Sequence, residues 1–473
     1  MAITGVTAGA LTPSSRKQTL ASSYIDFASA GSSDGWAQQY LPDLIEKEAE
    51  IFGNRTLSGF LSQVGAEESM ASDQVVWSEQ GRLHLHYKNC TVSTNTITMV
   101  NETDGNTSVS THAVRVGDMV LISDANATIQ AFVSAVAADT ITVLPYKHAN
   151  IAGAGVASTT DVSVLVYGSE YVKGAVGRAG ANAPTFQSYT NKPIILRDKY
   201  EISGSDASAI GWVEVSGEDG QNGYLWYLKA EGDTRARFSD YLEMSMLESV
   251  KATLTVTALE SGAEGTIQGT EGLFAAIEAR GNQTTGVTGV NAATDLAEFD
   301  AILAEFDKNG AIEENMLFVD RSTSLAFDDM LASMNSYGAG GTSYGVFNNS
   351  EDMALNLGFS GFRRGSYDFY KSDWKYLNQQ DGRGGMIDTV SNIRGAIIPA
   401  GTSSVYDQQL GKNLKRPFLH VRYRASQTES RKLKTWITGS VGAVTSDLDA
   451  MEVHYLSERC LVTQGANNFM LMN

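Results

Sequence analysis

Cysteine and proline are both scarce in this sequence. Its 473 residues include two cysteines, Cys90 and Cys460, and seven prolines. Two cysteines so far apart form no Cys-x-x-Cys pair, which argues against a disulfide framework and a cysteine-based zinc site. A reducing compartment is therefore expected. With 46 glycines against seven prolines, the composition favours many turns and β-structure over proline-rich linkers.

Positive charge is also in short supply. The chain has 35 Lys and Arg residues against 54 Asp and Glu residues, and its formal net charge is −19. Non-specific binding to DNA comes mainly from Lys and Arg side chains that neutralise phosphates. A dedicated DNA-binding protein is therefore not expected, and any contact with DNA would need a local basic patch.

Long apolar runs are missing as well. No stretch approaches the roughly 18 apolar residues that span a membrane, so no contact with a membrane is expected. The first basic residues, Arg16 and Lys17, follow the weakly apolar N-terminal segment, whereas in a signal peptide they precede it. We therefore expect a soluble intracellular protein with no signal peptide.

The motifs that usually carry chemistry give no active site. Asp320 ends an apolar run, where an α/β enzyme could keep a catalytic carboxylate, but the following Ser-Thr-Ser makes a helix cap the favoured interpretation. His84 and His86 lie two residues apart on an expected strand, and no acidic partner motif accompanies them. The sequence predicts no catalytic residue, no cofactor and no metal ligand.

Hydrophobic periodicity divides the chain into segments of different character. In chain order, the sequence predicts a polar arm with short helices, an all-β unit, a return to sheet, a long helix, an α/β layer and a β-rich end. They fall at about 1–62, 90–170, 193–203, 218–255, 266–424 and 425–473. In the long helix, Phe238, Tyr241 and Leu242 define the expected apolar stripe, which Leu247 and Val250 extend.

The segment from Phe359 to Gly385 combines aromatic and basic residues. Seven aromatic residues fall between Phe359 and Tyr376, with Arg and Lys between them. Such a mixture could stack nucleic acid bases, but the acidic chain disfavours that alternative. Large apolar patches usually mark interfaces, so we expect the segment to pack both within its domain and onto neighbouring subunits. The interface candidates are Phe359, Phe362, Arg363, Arg364, Tyr367, Trp374, Tyr376 and Arg383.

The order of these parts resembles that of the major capsid proteins of tailed bacteriophages, whose fold was first described for phage Hong Kong 97. Three segments look like capsid-protein sequence of a podovirus or crAss-like type. They are ENMLFVDRSTSLAFDDML, FRRGSYDFYKSDWKYLN and LSERCLVTQGANNFMLMN.

The resemblance implies an α+β Hong Kong 97-type fold with a small all-β insertion domain. The implied parts are an N-terminal arm, an extended loop with the insertion at about 90–170, a spine-helix segment, an axial domain and a C-terminal peripheral part. They would cover 1–62, 63–212, 213–265, 266–424 and 425–473.

The resemblance also implies a function. Many copies would form hexamers and pentamers that close into an icosahedral shell in the virion, assembled in the host cytoplasm. The shell would enclose double-stranded DNA without reading its sequence, and cement, portal and scaffold proteins would be partners. Two alternatives stay open: a β-rich tail, fibre or surface binding protein, and an α/β enzyme that uses Asp320.

Overall fold

A computed structural model describes most of the chain beyond residue 66. The described residues are 67–81, 84–102, 108–156, 159–177, 186–209, 215–216, 222–223, 225–256, 265–310, 312–336, 361–380, 382–386, 393–400, 402–407, 412–441 and 444–473. The predicted arm at 1–62 and Phe359 lie outside these ranges.

Strands dominate the described residues. The strands are β1 Glu67–Met70, β2 Val75–Gln80, β3 His86–Ser93, β4 Thr96–Thr98, β5 Asn101–Glu102, β6 Asp118–Ser123, β7 Thr128–Val136, β8 Thr140–Pro145, β9 Val162–Ser169, β10 Phe186–Asn191, β11 Ile194–Ser203, β12 Val215–Ser216, β13 Asn222–Gly223, β14 Leu254–Val256, β15 Gly265–Ile267, β16 Asn282–Thr284, β17 Glu314–Val319, β18 Gly361–Arg364, β19 Tyr367–Asp373, β20 Gly395–Pro399, β21 Thr402–Asp407, β22 Lys412–Pro417, β23 Leu419–Arg424, β24 Lys434–Gly439, β25 Ala450–Thr463 and β26 Met470–Met472. The helices are α1 Gly204–Ala209, α2 Leu225–Glu248, α3 Leu273–Arg280, α4 Ala292–Asn309, α5 Arg321–Ser336 and α6 Lys375–Asn378.

Strands β3 to β9 form a barrel with its own core. The order β4-β8-β7-β6-β9-β3 closes on itself because β3 also pairs with β4. Alternate residues of each strand point inward, as the period of two requires. The fully buried ones include Val120, Ile122, Ile141, Val143 and Val164. The strands expected from the apolar alternation are therefore present.

A two-stranded antiparallel ribbon joins the barrel to the rest of the chain. Strands β2 and β10 pair so that Trp77 lies opposite Tyr189. The guanidinium carbon of Arg280, on α3, lies 4.5 Å from the Tyr189 ring centroid and 5.6 Å from that of Trp77. Its Nη2 donates to Glu271 Oε2 at 2.6 Å. A cation between two rings and a carboxylate thus holds the base of the ribbon.

Helix α2 packs across a mostly antiparallel sheet. Strands run in the order β1-β23-β25-β11, and β24 also pairs with β25. Phe238 and Leu242 are buried on this sheet, and the ring centroid of Phe238 lies 5.9 Å from that of Tyr455. The predicted stripe was wrong for Tyr241 and Val250, which are 46% and 63% exposed. The helix presents one i, i+4 row to the sheet, and Val250 lies beyond its end.

The second large sheet has six strands in the order β16-β26-β20-β17-β19-β18. The apolar run MLFVD at 316–320 predicts a short buried strand between two helices, and the structure confirms it as β17 between α4 and α5. Asn309-Gly310 in the sequence predicts a helix stop, and α4 does end there: Gly310 has a left-handed φ of 65°. The sequence predicts Asp295 and Glu298 as a capping pair for this helix, and that prediction was wrong for the N-cap. The N-cap is Asn291, whose side chain accepts from Thr294 N–H at 3.0 Å.

The domain boundary expected at 424/425 does not follow the sheets. Strand β23, at the end of the predicted axial segment, pairs with β25 in the five-stranded sheet. Strand β26, in the predicted C-terminal peripheral segment, pairs with β16 and β20 in the six-stranded sheet. The last two hundred residues thus cross between the sheets twice, which sequence periodicity cannot reveal because pairing partners are distant.

Candidate assembly surface

The aromatic segment begins with a hairpin at the edge of the six-stranded sheet. Arg364 pairs with Tyr367 across a two-residue loop, and Gly365 has a φ of 63°. A glycine with positive φ at the first loop position suits a type II′ turn, which matches the twist of paired strands. The hairpin sends alternate residues to opposite faces of the sheet.

The inward face of the hairpin is part of the core. The ring centroids of Phe362 and Phe369 are 5.3 Å apart with nearly parallel planes. Phe299, from α4, lies against both rings with centroid distances of 5.6 and 5.1 Å. Tyr367 donates its hydroxyl to Asp307 Oδ1 at 2.6 Å. Burial, and then this hydrogen bond, raises the pKa of Tyr367 to about 12.

The last two aromatic residues of the segment, Trp374 and Tyr376, are buried on the other side of the same sheet. The ring centroid of Trp374 lies 5.3 Å from that of Phe318 and 5.9 Å from that of Phe274. Tyr376 donates to Glu248 Oε1 at 2.7 Å. Burial and this carboxylate raise the pKa of Tyr376 well above its usual range. These rings join α2, α3 and β17.

Two of the candidate arginines find carboxylates within the chain. Arg364 Nε and Nη2 donate to both carboxylate oxygens of Asp300, at 2.5 and 2.7 Å. Arg383 Nη1 donates to Glu248 at 2.7 and 2.8 Å. These ion pairs use side chains that the sequence assigned to a neighbour.

Four of the interface candidates are therefore core residues of the chain itself. Phe362, Tyr367, Trp374 and Tyr376 are each at least 94% buried within this chain, since their exposed fractions are 6%, 6%, 4% and 5%. They need no neighbour to cover them, and they cannot stack nucleic acid bases. The period-two alternation of the hairpin could have indicated this arrangement.

The outward face of the same hairpin remains available. Arg363 lies opposite Asp368, with 3.6 Å between Nε and Oδ1, and its side chain is 62% exposed. Tyr370 is 52% exposed on the same face of β19. Arg363 is the interface candidate for which the structure leaves an accessible side chain, and Tyr370 is one that sequence reasoning missed.

A second exposed surface lies at one end of the barrel. It consists of large side chains that are between 44% and 53% exposed: Val116, Leu144, Tyr146, Tyr167 and Tyr171. Tyr146 donates its hydroxyl to Glu170 Oε2 at 2.6 Å, which ties the ends of β8 and β9 together. This hydrogen bond raises the pKa of Tyr146 to about 12. Tyrosine is common at interfaces because its ring is apolar and its tip is polar. We call these five residues the tyrosine patch.

Asp320 has the structural role that its sequence context favoured. Its Oδ1 accepts from Thr323 N–H at 2.8 Å and its Oδ2 accepts from Ser322 Oγ at 2.7 Å. The contact with Thr323 N–H is that of a helix N-cap for α5. The carboxylate is thereby engaged with its own helix.

The remaining sequence motifs give no further site in the described part of the chain. His86 begins β3, whereas His84 precedes that strand, so the two histidines do not share a strand face as expected. Among the described residues, no group of three or more His, Cys, Asp or Glu side chains is placed to hold a metal ion. None of the helices in those ranges is long and apolar enough to cross a membrane.

Comparison with known proteins finds similarity only at the level of structure. No protein-family model and no curated protein matches the chain. A structure from Microbacterium phage Oxtober96 is similar at 9% identity and a TM-score of 0.41, covering 95% of this chain and 99% of that one. The capsid structure of the Cyanophage P-SCSP1u is similar at 8% identity and a TM-score of 0.40, covering 91% and 92%. A structure from Mycobacterium phage Adephagia gives 9% identity, a TM-score of 0.37, and coverage of 94% and 98%.

Proposed function

We propose that this chain is a major capsid protein that assembles into the shell of a tailed bacteriophage. The observation that carries the proposal is the spatial order of its parts. A ribbon with a barrel at its far end precedes a long helix that packs across an antiparallel sheet. A separate α/β layer follows, and the chain end returns to both sheets. This is the order expected for the Hong Kong 97-type fold. The names of the similar phage structures agree with the proposal, but at those TM-scores they do not carry it.

Each part has a corresponding role in this proposal. The ribbon and barrel are the extended loop with its insertion domain. Helix α2 is the spine helix, and the five-stranded sheet under it belongs to the peripheral domain. The six-stranded sheet with α4 and α5 is the axial domain. Residues 1–62 are the N-terminal arm.

The proposed mechanism is repeated association of identical subunits. Hexamers and pentamers form because heterologous contacts between copies close into rings, and the rings close into an icosahedral shell. The shell encloses double-stranded DNA without reading its sequence, and the net charge of −19 disfavours tight binding of that DNA. Scaffold, portal and cement proteins are the expected partners, assembly takes place in the host cytoplasm, and the virion is the final location.

The direct test is the assembly state of the full-length chain. The purified protein is imaged by negative-stain electron microscopy, with mass photometry alongside. Rings of five or six subunits, or closed shells, are the expected result. A folded chain that stays monomeric as its concentration rises, with and without a co-expressed scaffold, contradicts the proposal.

The second candidate function is a phage tail, fibre or surface binding protein. The tyrosine patch favours it, because exposed tyrosines on a rigid barrel suit a binding surface. The two functions differ in what a patch variant does. If the chain is a binding protein, Tyr167→Ser combined with Tyr171→Ser should weaken attachment to its target. If the chain is a capsid protein, the same double variant should still assemble into rings or shells.

A further inference from the structure

Strand β1 is held at the edge of the five-stranded sheet with very little apolar contact. It pairs with β23 alone among the described strands, in a parallel register of four residues. Its burial pattern leaves Met70 as the single buried residue of the four. Met70 packs beside Trp77 and Val462. One buried side chain is a small apolar contribution for a strand that must stay ordered.

Acidic side chains on β1 and just after it face basic side chains on the rest of the sheet. Glu68 Oε2 accepts from Arg422 Nη2 at 2.6 Å. Asp73, in the turn before β2, pairs with Arg424 on β23. Glu67 pairs with Lys432, from the β23–β24 loop. Every one of these pairs has its acid on the 67–73 segment and its base on the body of the sheet.

Two of the basic side chains have further partners on the sheet itself. Arg459 lies beneath Glu67 with 4.0 Å between Nη1 and Oε1, and it also donates to Ser457 Oγ and to the carbonyl oxygen of Lys432, both at 2.8 Å. Arg424 also has Glu458 Oε1 at 3.4 Å. These second partners keep the cations in place, so opening of β1 does not require the sheet to unfold.

The ion pairs are accessible to salt. The side chains of Glu67 and Glu68 are 28% and 31% exposed, and that of Asp73 is 85% exposed. Pairs between partly exposed charges weaken as ionic strength rises, because the screening length falls to a few ångströms at about 1 M salt.

We propose that residues 67–73 form a charge-held strap, an edge strand that leaves the five-stranded sheet when its ion pairs are screened while the rest of the sheet stays folded. Ionic strength then sets how often this edge of β23 is open. The inference depends on the contacts of β1 and not on the assembly of the chain.

Hydrogen–deuterium exchange with mass spectrometry on the full-length chain tests the strap. Exchange is compared at about 50 mM and about 500 mM NaCl, across which the screening length falls roughly threefold. We expect the amides of residues 67–73 to exchange roughly tenfold faster at high salt, since three such pairs act together. Strand β26, which is buried at all three residues, should show no salt dependence. Salt-independent exchange of residues 67–73, or acceleration shared with β26, overturns the proposal.

Two variants test whether the charge on β1 itself controls the exchange of residues 67–73. Glu68→Gln keeps the side-chain shape and removes one of the three pairs, so exchange at residues 67–73 should be about twofold faster at low salt and its salt dependence should be smaller than in the wild type. Lys308→Gln removes an exposed pair with Glu305 on α4 and should leave that exchange unchanged. Glu68→Gln with wild-type exchange and wild-type salt dependence contradicts the proposal. If this variant fails to fold, the wild-type salt comparison still decides.

Discussion

Asn191 and Leu461 are joined by a hydrogen bond although 270 residues separate them. Asn191 Nδ2 donates to the carbonyl oxygen of Leu461 at 2.6 Å. The same nitrogen donates to the carbonyl oxygen of Glu271 at 3.0 Å, and Oδ1 accepts from Glu271 N–H at 2.8 Å. The side chain is fully buried at the end of β10. One amide thus ties the ribbon to β25 and to the segment that leads into α3.

Replacing Asn191 with Ala should therefore destabilise the protein more than an ordinary loss of a polar side chain. The variant leaves the buried N–H of Glu271 and the carbonyl of Leu461 without this partner, at about 1–3 kcal/mol for each buried group left unsatisfied. The free energy of unfolding is measured by urea denaturation. Asn126→Ala, in an exposed turn, is the control and should change that free energy by less than about 0.5 kcal/mol. Equal effects of the two variants would contradict the role of Asn191.

The two faces of the hairpin should differ in how much a lost aromatic ring costs in stability. Phe299 is 0% exposed and contacts the rings of Phe362 and Phe369, so Phe299→Ala should lower the free energy of unfolding by about 3–5 kcal/mol. Tyr370→Ala, on the outward face of the same hairpin, should lower it by less than about 1 kcal/mol. Denaturant midpoints of the two variants measure the difference. A large loss with Tyr370→Ala would place that ring in the core, against the structure.

The two neighbouring arginines of the hairpin should behave differently. Arg364→Glu sets a carboxylate against Asp300 and should destabilise the subunit, whereas Arg363→Glu leaves the fold intact because that side chain is mostly exposed. If the outward face contacts a neighbouring subunit, Arg363→Glu should reduce the yield of capsomers or shells in electron micrographs. Normal shells from a stable Arg363→Glu subunit would remove this face from the interface, and Arg363→Gln provides the charge-neutral comparison.

The cap of α5 predicts which substitutions Asp320 tolerates. Asp320→Ala removes the acceptor for Thr323 N–H and should lower the free energy of unfolding by about 1 kcal/mol. Asp320→Asn retains an oxygen acceptor at the N-cap and should lower the free energy of unfolding by only a few tenths of a kcal/mol. Urea denaturation of both variants checks the ranking. Equal losses in the two variants would show that the charge of Asp320, rather than its cap, stabilises the helix.

Both thiols should be unreactive in the folded chain. Cys90 and Cys460 are buried, and burial raises the pKa of Cys90 to about 11 and that of Cys460 to about 12. Because the folded state favours the neutral thiol, this contribution to stability is present below about pH 9 and is lost as pH rises towards the folded-state values. Ellman's reagent at pH 8 should therefore label the thiols at the rate of unfolding, and both at once in urea. Rapid labelling without urea would contradict their burial.

The sequence indicated much of the local structure but not which acidic side chains the arginines of the aromatic segment contact. Apolar alternation located the barrel strands, and the Asn-Gly pair at Gly310 located the end of α4. The aromatic segment was recognised as a place of dense packing, yet the partners of Arg364 and Arg383 are acids 64 and 135 residues away. No local pattern identifies a partner at that distance, so these arginines were assigned to a neighbouring subunit.

What the sequence determined by itself is which segments form strands and which form helices, because periodicity and glycine stops act over a few residues. The three-dimensional fold alone decided which sheet each strand joins, as the exchange of β23 and β26 between the expected domains shows. It also decided which of two adjacent arginines, Arg364, donates two hydrogen bonds to a distant carboxylate and which, Arg363, stays mostly exposed. Both outcomes depend on contacts between distant residues, and the energies of those contacts exist only once the chain has brought the residues together.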